Sequence, residues 1–270
     1  MPWAGARVAG SGWRAWQRHR YDLRLRSLAT KPLPADHEDF LADYLPYGSL
    51  SVEERNRFRA KFQHFLATKR FFGINGLVVT DQMRLLVAAE ACLMITNLDG
   101  GVYPGLGNIN LIEDEFVPKD NPVNEHTGLP MFDERTGEAW PDGPIVLSWR
   151  AIDEGETVVF HEFAHQLDQQ EDGGFDGTPG LGDEAGYREW ERVMGEEFLK
   201  LRAAVERGDE TYIDEYAATS EAEFFAVLTE YFFSEPRELQ GHHPEIFRLL
   251  GTYYRIDPLV WHLEEDKPDT

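Results

Sequence analysis

The sequence predicts an α+β fold in which a small, mainly antiparallel sheet packs against several helices. Two observations carry this prediction. Segments of strand composition are confined to residues 100–150, and helical hydrophobic spacing dominates from about residue 153 onward. With 270 residues, 42% of them hydrophobic, the chain has enough apolar material to bury a sizeable core.

Taken in order, residues 1–34 form a basic leader. Residues 1–31 carry seven Lys/Arg against the single acid Asp22, and Lys31-Pro32-Leu33-Pro34 marks a joint to the body at 35–270. A transit peptide, a polyanion-binding arm and a helix packed on its own acidic body all fit such a leader. The last is the favoured reading. Residues 51–69 read as a helix: Ser51 and Glu54 make a capping-box pair, and Phe58, Phe62, Phe65 and Leu66 recur at helical spacing. Residues 81–96 read as a second, more buried helix. Between 100 and 150, Gly100, Gly101, Pro104, Gly105 and Gly107 punctuate the chain. Residues 108–117 and 145–149 have strand composition there, the latter after the turn Pro141-Asp142-Gly143-Pro144. Helices are expected at about 153–170, 185–207, 219–233 and 244–255.

Charge and cysteine content narrow the class further. The net charge of −23 is concentrated in the body, and so acidic a surface repels phosphate backbones, which argues against nucleic acid as a partner. The lone Cys92 excludes an internal disulfide and lies in an apolar run, pointing to a small buried side chain in a reducing compartment. The apolar run from Leu85 to Ile95 is too short to cross a bilayer, and the N-terminus lacks a secretory h-region. The expectation is a soluble, cytoplasmic protein with no membrane partner.

Residues 161–165 read His-Glu-Phe-Ala-His. On a helix, His161 and His165 stand one turn apart on one face, so both imidazoles can bind one zinc ion. Glu162 projects at an angle to that face, placed to act as a base on water without being a ligand. Chance produces this pattern in on the order of one chain in a hundred of this length. Two histidines and a glutamate buried without a metal also carry a desolvation cost. A functional zinc site is therefore the reading of choice.

Zinc requires at least a third protein ligand. The extended metzincin pattern fails, because Asp168 stands where glycine is needed and Glu171 follows at the next position of that pattern. Asp168 shares the face of His165 and is expected to orient a histidine rather than bind metal. Glu223, on a helix carrying Phe224, Phe225, Val227, Leu228, Tyr231 and Phe232, is an acid beside a core and the stronger candidate. Ser220 and Glu223 also satisfy a capping box, which needs no metal, and Glu230 is a fallback ligand.

Tyr103-Pro104-Gly105, Gly143 to Trp149, His161 to Asp168 and Ala222 to Val227 ahead of Glu230-Tyr231-Phe232-Phe233 together resemble the Mlc titration factor family of bacterial zinc peptidases. The likeness runs from about residue 35 to 260 and leaves the leader outside. It implies a zincin-like core similar to the catalytic domain of anthrax lethal factor, with a glutamate from a later helix as third ligand. A tyrosine seven residues before that glutamate faces the site there. Tyr216 stands seven before Glu223, so the resemblance implies zinc held by His161, His165 and Glu223, with Tyr216 facing it.

The function expected on these grounds is peptide hydrolysis dependent on one Zn2+ per chain, aminopeptidase-like by family character. Glu162 accepts a proton from water, and Tyr216 hydrogen-bonds the developing oxyanion. Residues 145–149 are expected as a sheet-edge strand that can pair with extended substrate, although many such edges bind nothing. The glycine-rich 171–183 segment reads by default as a surface loop, with a wall of the cleft as the alternative. The rival reading is a regulatory protein that sequesters a transcriptional repressor, with hydrolysis secondary.

Overall fold

The computed structural model describes residues 20, 21, 23–113, 144–169 and 176–262. Most of the leader, the chain beyond residue 113 in the expected 108–117 strand, the Pro141–Gly143 turn and the 171–175 part of the glycine-rich segment lie outside them. Residues 23–29 are helical and run into the body. The Gln63 amide donates to the Leu28 carbonyl at 2.9 Å, Tyr21 meets the His64 ring edge-on at 5.1 Å, and Leu33 is buried.

Two short helices, α1 (Ala35–Asp43) and α2 (Leu45–Ser49), lead into α3 (Val52–Thr68). The expected capping box closes the start of α3. Ser51 Oγ accepts from the Glu54 amide at 3.2 Å, and a Glu54 carboxylate oxygen accepts from the Ser51 amide at 2.9 Å. Phe58, Phe62 and Phe65 are fully buried along one face, as their spacing requires.

Strand β1 (Arg70–Gly73) follows, then α4 (Asp81–Met94), β2 (Asn108–Ile112) and β3 (Ile145–Ser148). The three strands form one sheet in the order β1-β2-β3, with Phe71 opposite Ile109 and Ile109 opposite Ile145. Both pairings are parallel, which corrects the expectation of a mainly antiparallel sheet. The connections explain the difference. Antiparallel neighbours are joined by tight hairpins, whereas parallel ones need a long crossover. Residues 74–107, which contain α4, supply that crossover between β1 and β2, and residues 113–144 separate β2 from β3. Ile109, Leu111, Ile145 and Leu147 are buried, in keeping with a parallel sheet covered by helices.

The chain leaves β3 directly into α5 (Trp149–Asp153), with the Ser148 hydroxyl accepting from the Ala151 amide. Helix α6 (Val158–Asp168) then begins. The helix expected at 153–170 begins only at Val158, and residues 154–157, where Gly155 adopts φ +88°, separate it from α5. Next come α7 (Glu184–Arg207), a 3-10 turn at Glu215–Ala218 and α8 (Glu221–Ser234). The remaining described helices are α9 (Pro236–His242), α10 (Pro244–Tyr254) and α11 (Leu259–His262). Among the described residues no helix is long and apolar enough to cross a membrane.

Helix α6 lies between the sheet side of the core and α8. Its Phe163, fully buried, meets Tyr103 at 4.6 Å and Phe65 at 5.8 Å between ring centroids. Phe160 stacks on Phe233 of α8 at 4.9 Å with an interplanar angle of 5°. These contacts fix both the depth and the rotation of α6 and bring its polar residues to face α8.

Candidate metal centre

Because Phe163 is turned into the core, His161 and His165 share the side of α6 that faces α8. Their rings are 4.8 Å apart and nearly perpendicular, with the two Nε2 atoms separated by 3.2 Å. Helix α8 brings Glu223 to the same point: its Oε2 lies 3.0 Å from His161 Nε2 and 3.5 Å from His165 Nε2. Among the described residues this is the one group of three or more His, Cys, Asp or Glu side chains whose donor atoms converge closely enough for a metal ion.

The spacing fits zinc. Tetrahedral ligands at 2.0–2.1 Å from a common centre are separated from one another by about 3.3 Å, close to the three distances here. Glu223 Oε2 is moreover a buried acceptor with no hydrogen bond of good geometry, and it stands against both Nε2 atoms, which also face each other. A cation coordinated by all three satisfies these groups.

The capping-box alternative for Glu223 is half realised. Ser220 Oγ accepts from the Glu223 amide at 3.2 Å and caps α8, but the Glu223 carboxylate turns to the imidazoles. Burial pushes the Glu223 carboxyl up, yet the facing imidazoles outweigh that and hold it well below the usual carboxylate range.

Glu230, a fallback ligand by sequence, stands behind His161. Its Oε1 faces His161 Nδ1 at 2.6 Å, and its Oε2 accepts from the Thr157 hydroxyl. A proton on Nδ1 leaves the Nε2 lone pair directed at Glu223 and His165, the tautomer a metal needs. Thr157 consequently gives α6 no side-chain cap. Sequence reasoning missed this pair. The available signal was the seven-residue interval from Glu223 to Glu230, which puts both acids on one face of an otherwise apolar helix.

Asp168, expected to orient a histidine, has its carboxylate engaged by the backbone amides of Gly177 and Thr178, each at 2.9 Å. Glu162 is half-buried beside the centre. Burial raises its carboxyl above the usual range, the imidazoles oppose that, and Glu223 and Glu230 add to it. A carboxylate raised in this way is a better proton acceptor than a solvated one. The Asp214 carboxylate accepts from the Tyr216 amide at 2.7 Å and fixes the 3-10 turn that presents the tyrosine. The Tyr216 ring lies 6.2 Å from the His161 ring. Burial and the neighbouring Glu223 push its phenol far above the usual range, so it is a proton donor at every physiological pH.

The profile of the family described as glucose-regulated metallo-peptidase M90 matches residues 13–255. The chain is also similar to an uncharacterized protein of Synechocystis sp., 38% identical over 254 residues that cover 90% of this chain and 91% of that one. Mlc titration factor A of Yersinia enterocolitica and that of Pectobacterium atrosepticum are each 31% identical over 222 residues, covering 78% of this chain and 82% of theirs.

Proposed function

The chain belongs to the glucose-regulated metallopeptidase M90 family, and from that membership we propose that it is a zinc-dependent peptidase whose metal is held by His161, His165 and Glu223. The observation that carries this reading is the convergence of the three donor atoms at 3.0–3.5 Å with a buried carboxylate oxygen among them. With zinc bound there, the site would have a Lewis acid to acidify a water and polarise the scissile carbonyl.

The protein's own groups perform the remaining tasks. Glu162 accepts the proton of the attacking water and returns it to the leaving amine. Tyr216 donates its hydroxyl proton in a hydrogen bond to the oxyanion of the tetrahedral state. Glu230 fixes the His161 ring through Nδ1. Strand β3 pairs only with β2 among the described residues, and its other edge suits an extended peptide. Aminopeptidase-like action on short peptides and a core similar to anthrax lethal factor rest on the family resemblance. A cytoplasmic location, which rests on the lone Cys92 and the lack of a secretory h-region, completes the proposal.

A second reading is favoured by the names of two relatives. As homologues of Mlc titration factor A, such chains are suited to bind a repressor of the Mlc kind, with hydrolysis secondary. The decisive experiment measures zinc content and peptide-library cleavage for the wild type and Glu162→Gln. One zinc per chain in both, with cleavage by the wild type alone, is the expected result. No bound zinc, or unchanged turnover in the variant, overturns the peptidase reading. Retention of a repressor by both proteins without cleavage by either supports the second.

A further inference from the structure

Gly177 sits where three helices meet. Its amide donates to Asp168 Oδ2 at 2.9 Å, at the last residue of α6. Its carbonyl accepts from Trp190 Nε1 of α7, also at 2.9 Å. Its α-carbon lies against the first residue of α8: a Cβ added there would stand 2.3 Å from the Glu221 carbonyl oxygen and 2.6 Å from its carbon. The backbone adopts φ +73°, so glycine is demanded by conformation as well as by space. The neighbouring Thr178 amide occupies Asp168 Oδ1. Asp168 and Trp190 are 3% and 2% exposed, and Trp190 meets Phe225 of α8 edge-on at 5.5 Å.

These contacts fasten the C-terminal turn of α6 to the N-terminal turn of α8. The fastening lies close to the proposed donors on both sides. His165 is one turn before Asp168, and Glu223 is two residues after Glu221. Zinc coordination tolerates deviations of only about 0.2 Å in ligand distance, so the spacing of these two helices at this level bears directly on the proposed site.

We propose that Asp168 is a positioning residue for the metal centre, acting through Gly177 to hold Glu223 at coordinating distance from the two histidines. The inference rests on the reading of His161, His165 and Glu223 as zinc ligands. Removing one acceptor from Asp168, or adding a methyl group at Gly177, displaces the start of α8 and loosens the third ligand while leaving all three ligands present in the sequence.

The test uses the full chain and zinc itself. Zinc affinity is measured by chelator competition for wild type, Asp168→Asn, Gly177→Ala and Trp190→Phe, and the visible bands of the Co2+-substituted proteins report ligand geometry. Asp168→Asn and Gly177→Ala should weaken zinc by about tenfold or more and shift the Co2+ bands. Trp190→Phe, which keeps a ring against Phe225 but removes the donor, should do so to a smaller extent. Leu41→Ala, a core truncation in α1, lowers thermal stability and should leave zinc affinity unchanged. Asp168→Asn keeps the backbone conformation, so the test remains decisive even where Gly177→Ala does not fold. Wild-type affinity and spectrum in Asp168→Asn overturn the inference, as does an equal loss in Leu41→Ala. Failure of the wild type to bind zinc overturns the ligand reading itself.

Discussion

His161 Nδ1 and Glu230 Oε1 face each other at 2.6 Å, so the ring that offers Nε2 to the proposed zinc site is gripped from behind by a carboxylate of α8. The Thr157 hydroxyl donates to the other oxygen of the same carboxylate and holds it in turn. Glu230→Ala should weaken zinc binding by about 10- to 100-fold, since it frees both the orientation and the tautomer of His161. Glu230→Gln should retain part of the affinity, because its amide oxygen still accepts from Nδ1–H. Chelator competition measures both, and wild-type affinity in the alanine variant would sink the assignment.

Tyr216 is proposed to act only once charge develops on the substrate oxygen. Its removal should therefore show in turnover and not in binding. Tyr216→Phe is expected to lower kcat by about 10²-fold, with KM and zinc content close to wild type. A change confined to KM would mean that the ring contacts substrate without donating to the oxyanion.

How far the sequence reaches depends on whether a feature is local. The start of α3 was readable because the capping box at Ser51 and Glu54 is complete within four residues, and the phenylalanine spacing then fixed its buried face. The pairing of His161 with His165 was readable for the same reason, being set by one turn of helix. Strand direction was not. Strand β1 is only four residues, Arg-Phe-Phe-Gly, following directly on a helix, and without it no crossover is visible and the sheet cannot be seen to be parallel. Asp168 and Glu230 mark the same limit at the site. Each lies on the face its spacing implies, but whether that face meets a histidine or a loop amide depends on how α6 and α8 pack together, which no local pattern encodes.

Glu223 and Ser220 allow the metal role and the capping role of one helix start to be separated. Ser220→Ala removes the side-chain acceptor for the Glu223 amide and should cost about 1 kcal/mol of stability while leaving zinc content intact. Glu223→Ala keeps that cap and should lose zinc. Metal analysis beside thermal melting distinguishes the two. Full zinc occupancy in Glu223→Ala would return Glu223 to a purely structural role and leave the centre without its third ligand.

Glu90, in α4, predicts a pH dependence of a particular sign. Its Oε2 is buried without a hydrogen bond, and burial pushes its carboxyl up to about 8. The folded protein therefore holds a proton there that the unfolded chain, titrating near 4.5, has already released. Stability from this group is fully present below about pH 4.5 and is lost as pH rises through 8, a penalty of about 3 kcal/mol at pH 7. Glu90→Gln removes the ionisation while keeping size and polarity. Its Tm should exceed that of the wild type by several degrees at pH 8, and the gap should close as pH falls towards 4.5. An unpaired amide adds an offset independent of pH, so the slope of the difference, and not its size at one pH, is the decisive quantity. A Tm difference constant between pH 5 and 8 would show that the carboxyl is ionised in the folded state throughout and that its burial is compensated locally.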